Sequence, residues 1–310
     1  MAVSRPIVVI LGPTASGKSA LALELARRVG AEILSVDSMQ VYREMDIGTA
    51  KATKAEQHEV RQHLIDLVEP NEVFTVARFV ELAERVIRDA GERQVPLITT
   101  GGTPLYFKAL FEGLFDGPPA QPALRQRLRS LPNEELARRL TEVDPQAAAR
   151  VHSNDTKRLV RALEVYELTG KPITSFQNEW GAGRLRHQAA WIGLRWDRDV
   201  LNRRINARVN SMLTSGWVEE TARLLERFGS LSPTATEATG YRELIDHLRG
   251  RLTLDEAAEQ IKIATRQLAR RQMKWFRRWR QVGWIAGDRP IQQLADDALR
   301  AWQEPARLTS

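Results

Sequence analysis

The sequence predicts an α/β fold, a parallel sheet flanked by helices with a helical domain inserted into it. Three observations carry this. Short β-branched apolar runs alternate with amphipathic helical stretches over the first 116 residues, the pattern of strand-helix-strand units. The alternation stops at a proline-rich break, Asp116-Gly-Pro-Pro-Ala-Gln-Pro122, and resumes at Ala190-Trp-Ile-Gly-Leu-Arg195. Between the first strand and the first helix stands Gly12-Pro-Thr-Ala-Ser-Gly-Lys18-Ser19, which fits the phosphate-binding pattern G-x-x-x-x-G-K-[ST]. The expected architecture is therefore a P-loop NTPase-like core, residues 1–116 and 188–310, carrying basic C-terminal helices and a helical insertion over 117–187.

The first strand is Pro6-Ile-Val-Val-Ile-Leu11, and Ala20-Leu-Ala-Leu-Glu-Leu-Ala-Arg27 has strong helix propensity. In that setting Gly12, Pro13, Thr14, Ala15, Ser16, Gly17, Lys18 and Ser19 form the candidate cradle for a diphosphate or nucleotide. The glycines let backbone N–H groups face an anion, and the helix N-terminus adds its dipole. Lys18 is expected to reach the outer phosphates, and Ser19 to hold Mg²⁺. Such a site reads a diphosphate with a divalent ion, whatever is esterified to it.

Glu32-Ile-Leu-Ser-Val-Asp37 reads as a second strand ending in an acid, where parallel sheets place their chemistry. Asp37-Ser38-Met39-Gln40 then lies beside the phosphate loop; the bland role of Asp37 and Ser38 is to cap a turn. Lys51, after the polar segment Asp46-Ile-Gly-Thr-Ala, is a candidate extra charge near the phosphates. Leu64-Ile-Asp-Leu-Val68 is a third apolar run. From Thr75 to Arg93, Val76, Phe79, Val80, Ala83, Val86 and Ile87 recur at helical spacing. Val95–Thr100 gives a fourth strand, and Gly101-Gly102-Thr103-Pro104 turns into another helix, with Thr103 in the N-cap position and Pro104 first in the helix. An ATP-hydrolysing P-loop protein usually ends an apolar strand in a metal-holding Asp. Here Leu97-Ile98 runs into Thr99-Thr100, which weakens the case for ATP.

The insertion is helical and basic. Its clearest helix begins near Asn154, with Leu159, Leu163 and Tyr166 on one face and Lys157, Arg158 and Arg161 on another. A glycine-rich stretch, Gly181-Ala-Gly183, precedes the returning strand. Beyond Trp196 the chain is mostly helical. From Arg251 to Arg280 there are nine Lys or Arg against three acids. At 100° per residue, Lys262, Arg266, Arg270, Lys274 and Arg277 share one face, and Ile261, Ala264, Leu268, Trp275 and Trp279 the opposite one. Such cationic ridges suit nucleic-acid phosphates; the bland alternative is a solvated helix face.

Composition agrees. A net charge of +7 and a pI near 10 favour a polyanionic partner. The absence of cysteine excludes disulfides, thiolate zinc sites and cysteine nucleophiles. No apolar run approaches the roughly 20 residues of a membrane span, and no signal peptide is recognisable, so a cytoplasmic protein is expected. The five histidines lack metal-ligand spacing and receive no catalytic role.

Taken together the residues resemble the tRNA dimethylallyltransferases, or tRNA isopentenyltransferases. The resemblance runs over nearly the whole chain: GPTASGKSALAL, DSMQVYREMDIGTAK, GGTPLYFKALFEGL, DTKRLVRALEVYELTGKP, ATGYRELIDHL and ATRQLARRQMKWFRRW. Ala52 stands where the family usually has proline, and Thr99-Thr100 where apolar residues are more usual. The resemblance implies transfer of a dimethylallyl group from its diphosphate to the exocyclic amine of the adenosine just 3′ of a tRNA anticodon. It implies Asp37 as the base, Lys18 on the diphosphate and Thr103 at the reacting region. It also implies tRNA contacts at Asp37, Ser38, Met39, Gln40, Thr103 and Arg125. Further implied contacts are Arg161, Ala162, Leu163, Glu164 and Val165 in the insertion, then Gly240, Tyr241 and Arg242. The last are Arg270, Arg271, Gln272, Met273, Lys274, Trp275, Phe276 and Arg277. The insertion would clasp the anticodon stem-loop. No obligate protein partner is evident, and a monomer is expected. Two other readings use the same residues: an ATP-dependent kinase of a small molecule or nucleotide, with Asp37 activating a hydroxyl, and a nucleotide-switched RNA-binding module.

Overall fold

The computed structural model describes residues 7–113, 117–177 and 185–303. Asp116 and Gly181-Ala-Gly183 lie outside the described residues. The chain divides into two units, one of Met1–Leu110 with His187–Ser310, the other of Phe111–Arg186.

The first unit opens with β1 (Ile7–Leu11), α1 (Lys18–Val29), β2 (Glu32–Ser35), α2 (Lys54–Glu59) and β3 (Gln62–His63). It continues through α3 (Val76–Glu92), β4 (Leu97–Thr100) and α4 (Pro104–Glu112). The strands pair only in parallel, in the order β3-β2-β4-β1-β5-β6, where β5 is Ala189–Arg195 and β6 Gly283–Ala286. Parallel neighbours need long crossovers, so helices cover both faces and central strands become apolar throughout; all five residues of β1 are buried.

On one face Val8, Ile10, Ile98, Ile192 and Leu194 pack against Leu21 and Leu25 of α1 and Leu294, Ala298 and Trp302 of the last helix. Each fully buried leucine there contributes about 1.5–3 kcal/mol. Alternation along β5 sends Trp191 to the other face, where its ring lies 5.4 Å from Trp279. Phe107 meets Phe276 edge-on, and Phe79 stacks on Tyr106 at 4.2 Å.

Three expectations are corrected. The run Leu64–Val68 is not a strand: Leu64 and Asp66 take positive φ angles of 61° and 54°, leaving two residues of β3 before the run and a lone bridge from Val68 to Tyr42. The sixth strand, Gly283–Ala286, was not expected. The basic helix stops at Phe276, so Arg277, Arg278 and Arg280 stand beyond it.

In the second unit the described residues form α5 (Pro122–Arg129), α6 (Asn133–Val143), α7 (Pro145–Ala148), α8 (Thr156–Thr169) and α9 (Ile173–Gln177). Leu128, Leu136, Leu140, Leu159 and Leu163 fill its core. Buried Asp144 caps α7 through Ala147 N–H and takes both the N–H and the hydroxyl of Thr174, so no lone pair is stranded by its burial. The C-terminal part of the first unit adds α10 (Arg198–Thr214), α11 (Trp217–Phe228), α12 (Tyr241–Leu248), α13 (Leu254–Phe276) and α14 (Ile291–Gln303).

Candidate active site and RNA-facing surface

The phosphate loop leaves β1 at Gly12 and enters α1 at Lys18. Gly17 has φ 91°, a conformation that costs glycine little, and α1 begins without a side-chain cap. Its first N–H groups are therefore open to an anion. Three distant side chains hold the loop. Gln272 of α13 accepts from Thr14 N–H at 2.8 Å, and its own amide donates to Gly102 C=O at 2.7 Å. Trp196 Nε1 donates to Ser16 C=O at 2.9 Å, and Arg204 Nε to Ala15 C=O at 3.0 Å. Arg204 lies 4.2 Å over the Trp196 ring.

The loop borders a cleft of about 510 Å³. Lys18, Ser19, Asp37, Ser38, Gln40, Thr103, Arg208 and Gln272 all line it, so the ends of β1, β2 and β4 meet there, as open parallel sheets arrange. The approach of β4 to β2 depends on Gly101: a Cβ there would sit 2.1 Å from Val36 C=O. Asp37 Oδ1 accepts Met39 N–H at 2.9 Å. The Thr103 hydroxyl accepts Ser38 N–H at 2.9 Å and donates to Ser38 Oγ at 3.1 Å. It fixes the Asp37–Ser38 corner instead of capping α4, whose first turn bonds to the Thr103 carbonyl.

The charges in this cleft are uneven. Lys18 has its pKa pulled down to about 8, first by enclosure of its ammonium away from water and then by Arg208, with Asp37 opposing. Arg208 is also pushed down, first by enclosure, with Asp37 opposing and Arg204 adding a smaller fall, and as a guanidinium it stays charged. No hydrogen bond or ion pair engages Arg208 among the described residues. A half-buried cation on the cleft wall with no acid bonded to it suits an incoming anion. Sequence reasoning missed it, because nothing in the local pattern of α10 marks Arg208 apart from its neighbours. β4 ends at the cleft in Thr99-Thr100, both buried, with no carboxylate.

Lys51 does not serve the phosphates. Its Nζ is buried and bound to Asp46 and Asp66, each at 2.6 Å, and to Tyr42 C=O. That closes the 46–51 loop, whose N–H groups at Asp46, Ile47 and Gly48 all donate to buried Glu220 of α11. Gln40 joins this loop to β2, donating to Thr49 and Ala50 C=O and accepting from Ser35 Oγ.

The family model for the IPP transferases matches residues 40–279. The chain belongs to the IPP transferase family. It is 46% identical over 279 residues to tRNA dimethylallyltransferase 1 of Citrifermentans bemidjiense, covering 90% of this chain and 91% of that one. With tRNA dimethylallyltransferase of Geobacter metallireducens it shares 46% over 283 residues, covering 90% and 92%. Among solved structures, the full-length tRNA isopentenylpyrophosphate transferase of Bacillus halodurans superposes with a TM-score of 0.71 at 37% identity, covering 98% and 99%. A eukaryotic dimethylallyltransferase acting on tRNA gives 0.77 at 30%, covering 88% and 70%. This IPP transferase is thus an enzyme, a prenyltransferase.

Besides Asp37, Ser38, Met39, Gln40 and Thr103, which line the cleft, the residues expected at its RNA surface fall into two groups. Arg242, Arg270, Arg271, Lys274 and Arg277 are exposed, and Met273 and Trp275 partly so. Lys262 and Arg266, which the helical wheel placed on the same ridge, are engaged by Glu259 and Asn206. The buried stripe of α13 runs through Ile261, Ala269, Gln272 and Phe276, rotated from the expected Ala264-Leu268-Trp275. The other group is interior. Ala162, Leu163 and Val165 sit in the helical core. Glu164 is fully buried, bound twice by Arg125 at 2.9 Å and by Arg161 at 2.5 Å. Its burial, the largest influence, raises its pKa, and the arginine bonds more than reverse that. Tyr241 is buried with its hydroxyl donating to Glu220 at 2.6 Å, and Gly240 (φ 104°) lets Trp217 pass against the chain. These side chains shape the surface from beneath it. Among the described residues no helix is long and apolar enough to cross a membrane.

Proposed function

We infer that this IPP transferase moves a dimethylallyl group from dimethylallyl diphosphate to the exocyclic amine of the adenosine 3′-adjacent to a tRNA anticodon, releasing diphosphate. The observation that carries this reading is the placement of Asp37 in one cleft with two enclosed cations, Lys18 and Arg208. Breaking the bond between the allylic carbon and its ester oxygen builds negative charge on the diphosphate. The loop amides, Lys18 and Arg208 are already aimed at that charge. The adenine nitrogen forms the new C–N bond, and its proton passes to Asp37. Thr103, bonded to Ser38, sets the corner from which Asp37 acts.

The target base has to leave its stack to enter the cleft, which costs a few kcal/mol. The exposed cations of α13 offset that cost through phosphate contacts. Mg²⁺ fits the donor set. No cluster of three acids or histidines that could hold a metal occurs among the described residues, whereas the exposed Ser19 on the cleft supplies a hard oxygen of the kind Mg²⁺ combines with water and phosphate oxygens. When bound there, the ion neutralises diphosphate charge. The cytoplasm is the expected setting.

The test is incubation with Mg²⁺, dimethylallyl diphosphate and unmodified tRNA. The expected result is diphosphate release matched by a gain of one dimethylallyl group on a single adenosine. A kinase would instead consume ATP, yield ADP and leave the tRNA mass unchanged.

A further inference from the structure

A second cavity, of about 480 Å³, borders the phosphate loop at Pro13. Its apolar lining comes from Pro13, Trp196, Leu201, Ala269 and Met273. Around these stand Arg198 of α10, Arg270 and Lys274 in the last turns of α13, and Arg277 just beyond it. None of the four cations has a hydrogen-bond or acidic partner among the described residues, and all four are exposed. The reaction proposed above draws on the cations of α13 as phosphate contacts and on nothing else of this lining. Its chemistry proceeds in the first cleft, which shares no lining residue with this one.

Apolar lining beside unpaired cations matches one chemical class closely, a nucleotide, whose base seeks a flat apolar contact and whose phosphate seeks guanidinium. We propose that this cavity is a slot for one unstacked nucleotide of the RNA substrate, distinct from the nucleotide that reacts, and that α10 is therefore part of the RNA footprint. The inference rests on the function proposed above. It extends the footprint from α13 to the opposite wall of the cavity, where Arg198 and Asn202 stand. Exposed cations of one sign on two helices, in a chain of net charge +7, favour the polyanion over a free mononucleotide.

The experiment uses the full chain with Arg198→Ala and Asn202→Trp, the second filling the cavity without touching charge. For each, tRNA affinity is measured across a salt series, together with the affinities for inorganic diphosphate, AMP and UMP and thermal stability. Arg198→Ala should lower the slope of log affinity against log salt by about one phosphate contact. Asn202→Trp should weaken tRNA binding about tenfold, in the range of a lost base-stacking contact. Diphosphate affinity should be unchanged in both. Unaltered tRNA affinity and slope in both stable variants would overturn the slot. So would a loss confined to the binding of free AMP or UMP. Either outcome leaves the main reading intact as long as the parent enzyme still prenylates tRNA.

Discussion

At the scale of single residues, the cleft's behaviour turns on two ionisable side chains. Lys18 titrates near 8 in the free enzyme, and a bound anion favours its charged form. Below that pH the proton is already present. From about 8 upward, diphosphate binding has to take one up, so affinity should fall with rising pH. Calorimetry in two buffers of different ionisation enthalpy should show that uptake in the parent and not in Lys18→Met; equal proton uptake in both would remove Lys18 from the site. Asp37→Ala should lower kcat by about 10²–10⁴, the range of a lost general base, with tRNA affinity within about threefold. Matching losses in rate and affinity would make Asp37 an RNA contact only. The meeting of Asp37 and Lys18 on one cleft was legible in the sequence because both positions are set by local pattern, a strand end and a glycine loop. Arg208 and Glu220 were not, since their significance comes from enclosure by segments distant in the chain.

Among elements, α13 has two jobs on adjacent positions. Arg270, Arg271 and Lys274 face outward, while Gln272 between them joins Thr14 to Gly102. Gln272→Leu would leave a buried N–H and a buried C=O unpaired, at about 1–3 kcal/mol each. The expected result is a KM for the prenyl donor raised about tenfold or more with tRNA affinity little changed, and partial recovery in Gln272→Glu, which keeps the acceptor. A donor KM that stays put would reduce the bridge to mere packing. The helix itself was plain from its period, but its buried stripe was misplaced because the wheel ranked residues by polarity: Gln272 is interior through its hydrogen bonds and Trp275 is only partly covered. Strand β3 has two residues and β6 four, too short for alternation to announce them. The end of β1 and the alternating helices were clear because each carries a whole period of its own pattern.

For the whole molecule, net charge and its distribution govern RNA association. Binding of tRNA should weaken steeply with salt, and Lys274→Ala should flatten the slope by about one contact. An unchanged slope would take α13's outer face out of the interface. The helical unit keeps its own core and its own buried acids, Asp144 and Glu164, each fully bonded within it, so it is organised before any RNA arrives. The proline break and the change from alternating to purely helical pattern announced that unit. Its internal arginine clamp went unseen, because a fully buried glutamate on α8 reads in sequence as one more polar position.

The cradle around Lys18 and Arg208 has one more consequence. In the proposed reaction it favours the leaving group at the instant of departure, and with an anion bound both cations keep their charge afterwards, with no carboxylate at the end of β4 to push the departing group away. The spent half of the donor is therefore held as firmly as it was drawn off. Turnover should slow as inorganic pyrophosphate accumulates, competitively against the prenyl donor, and recover when a pyrophosphatase is added.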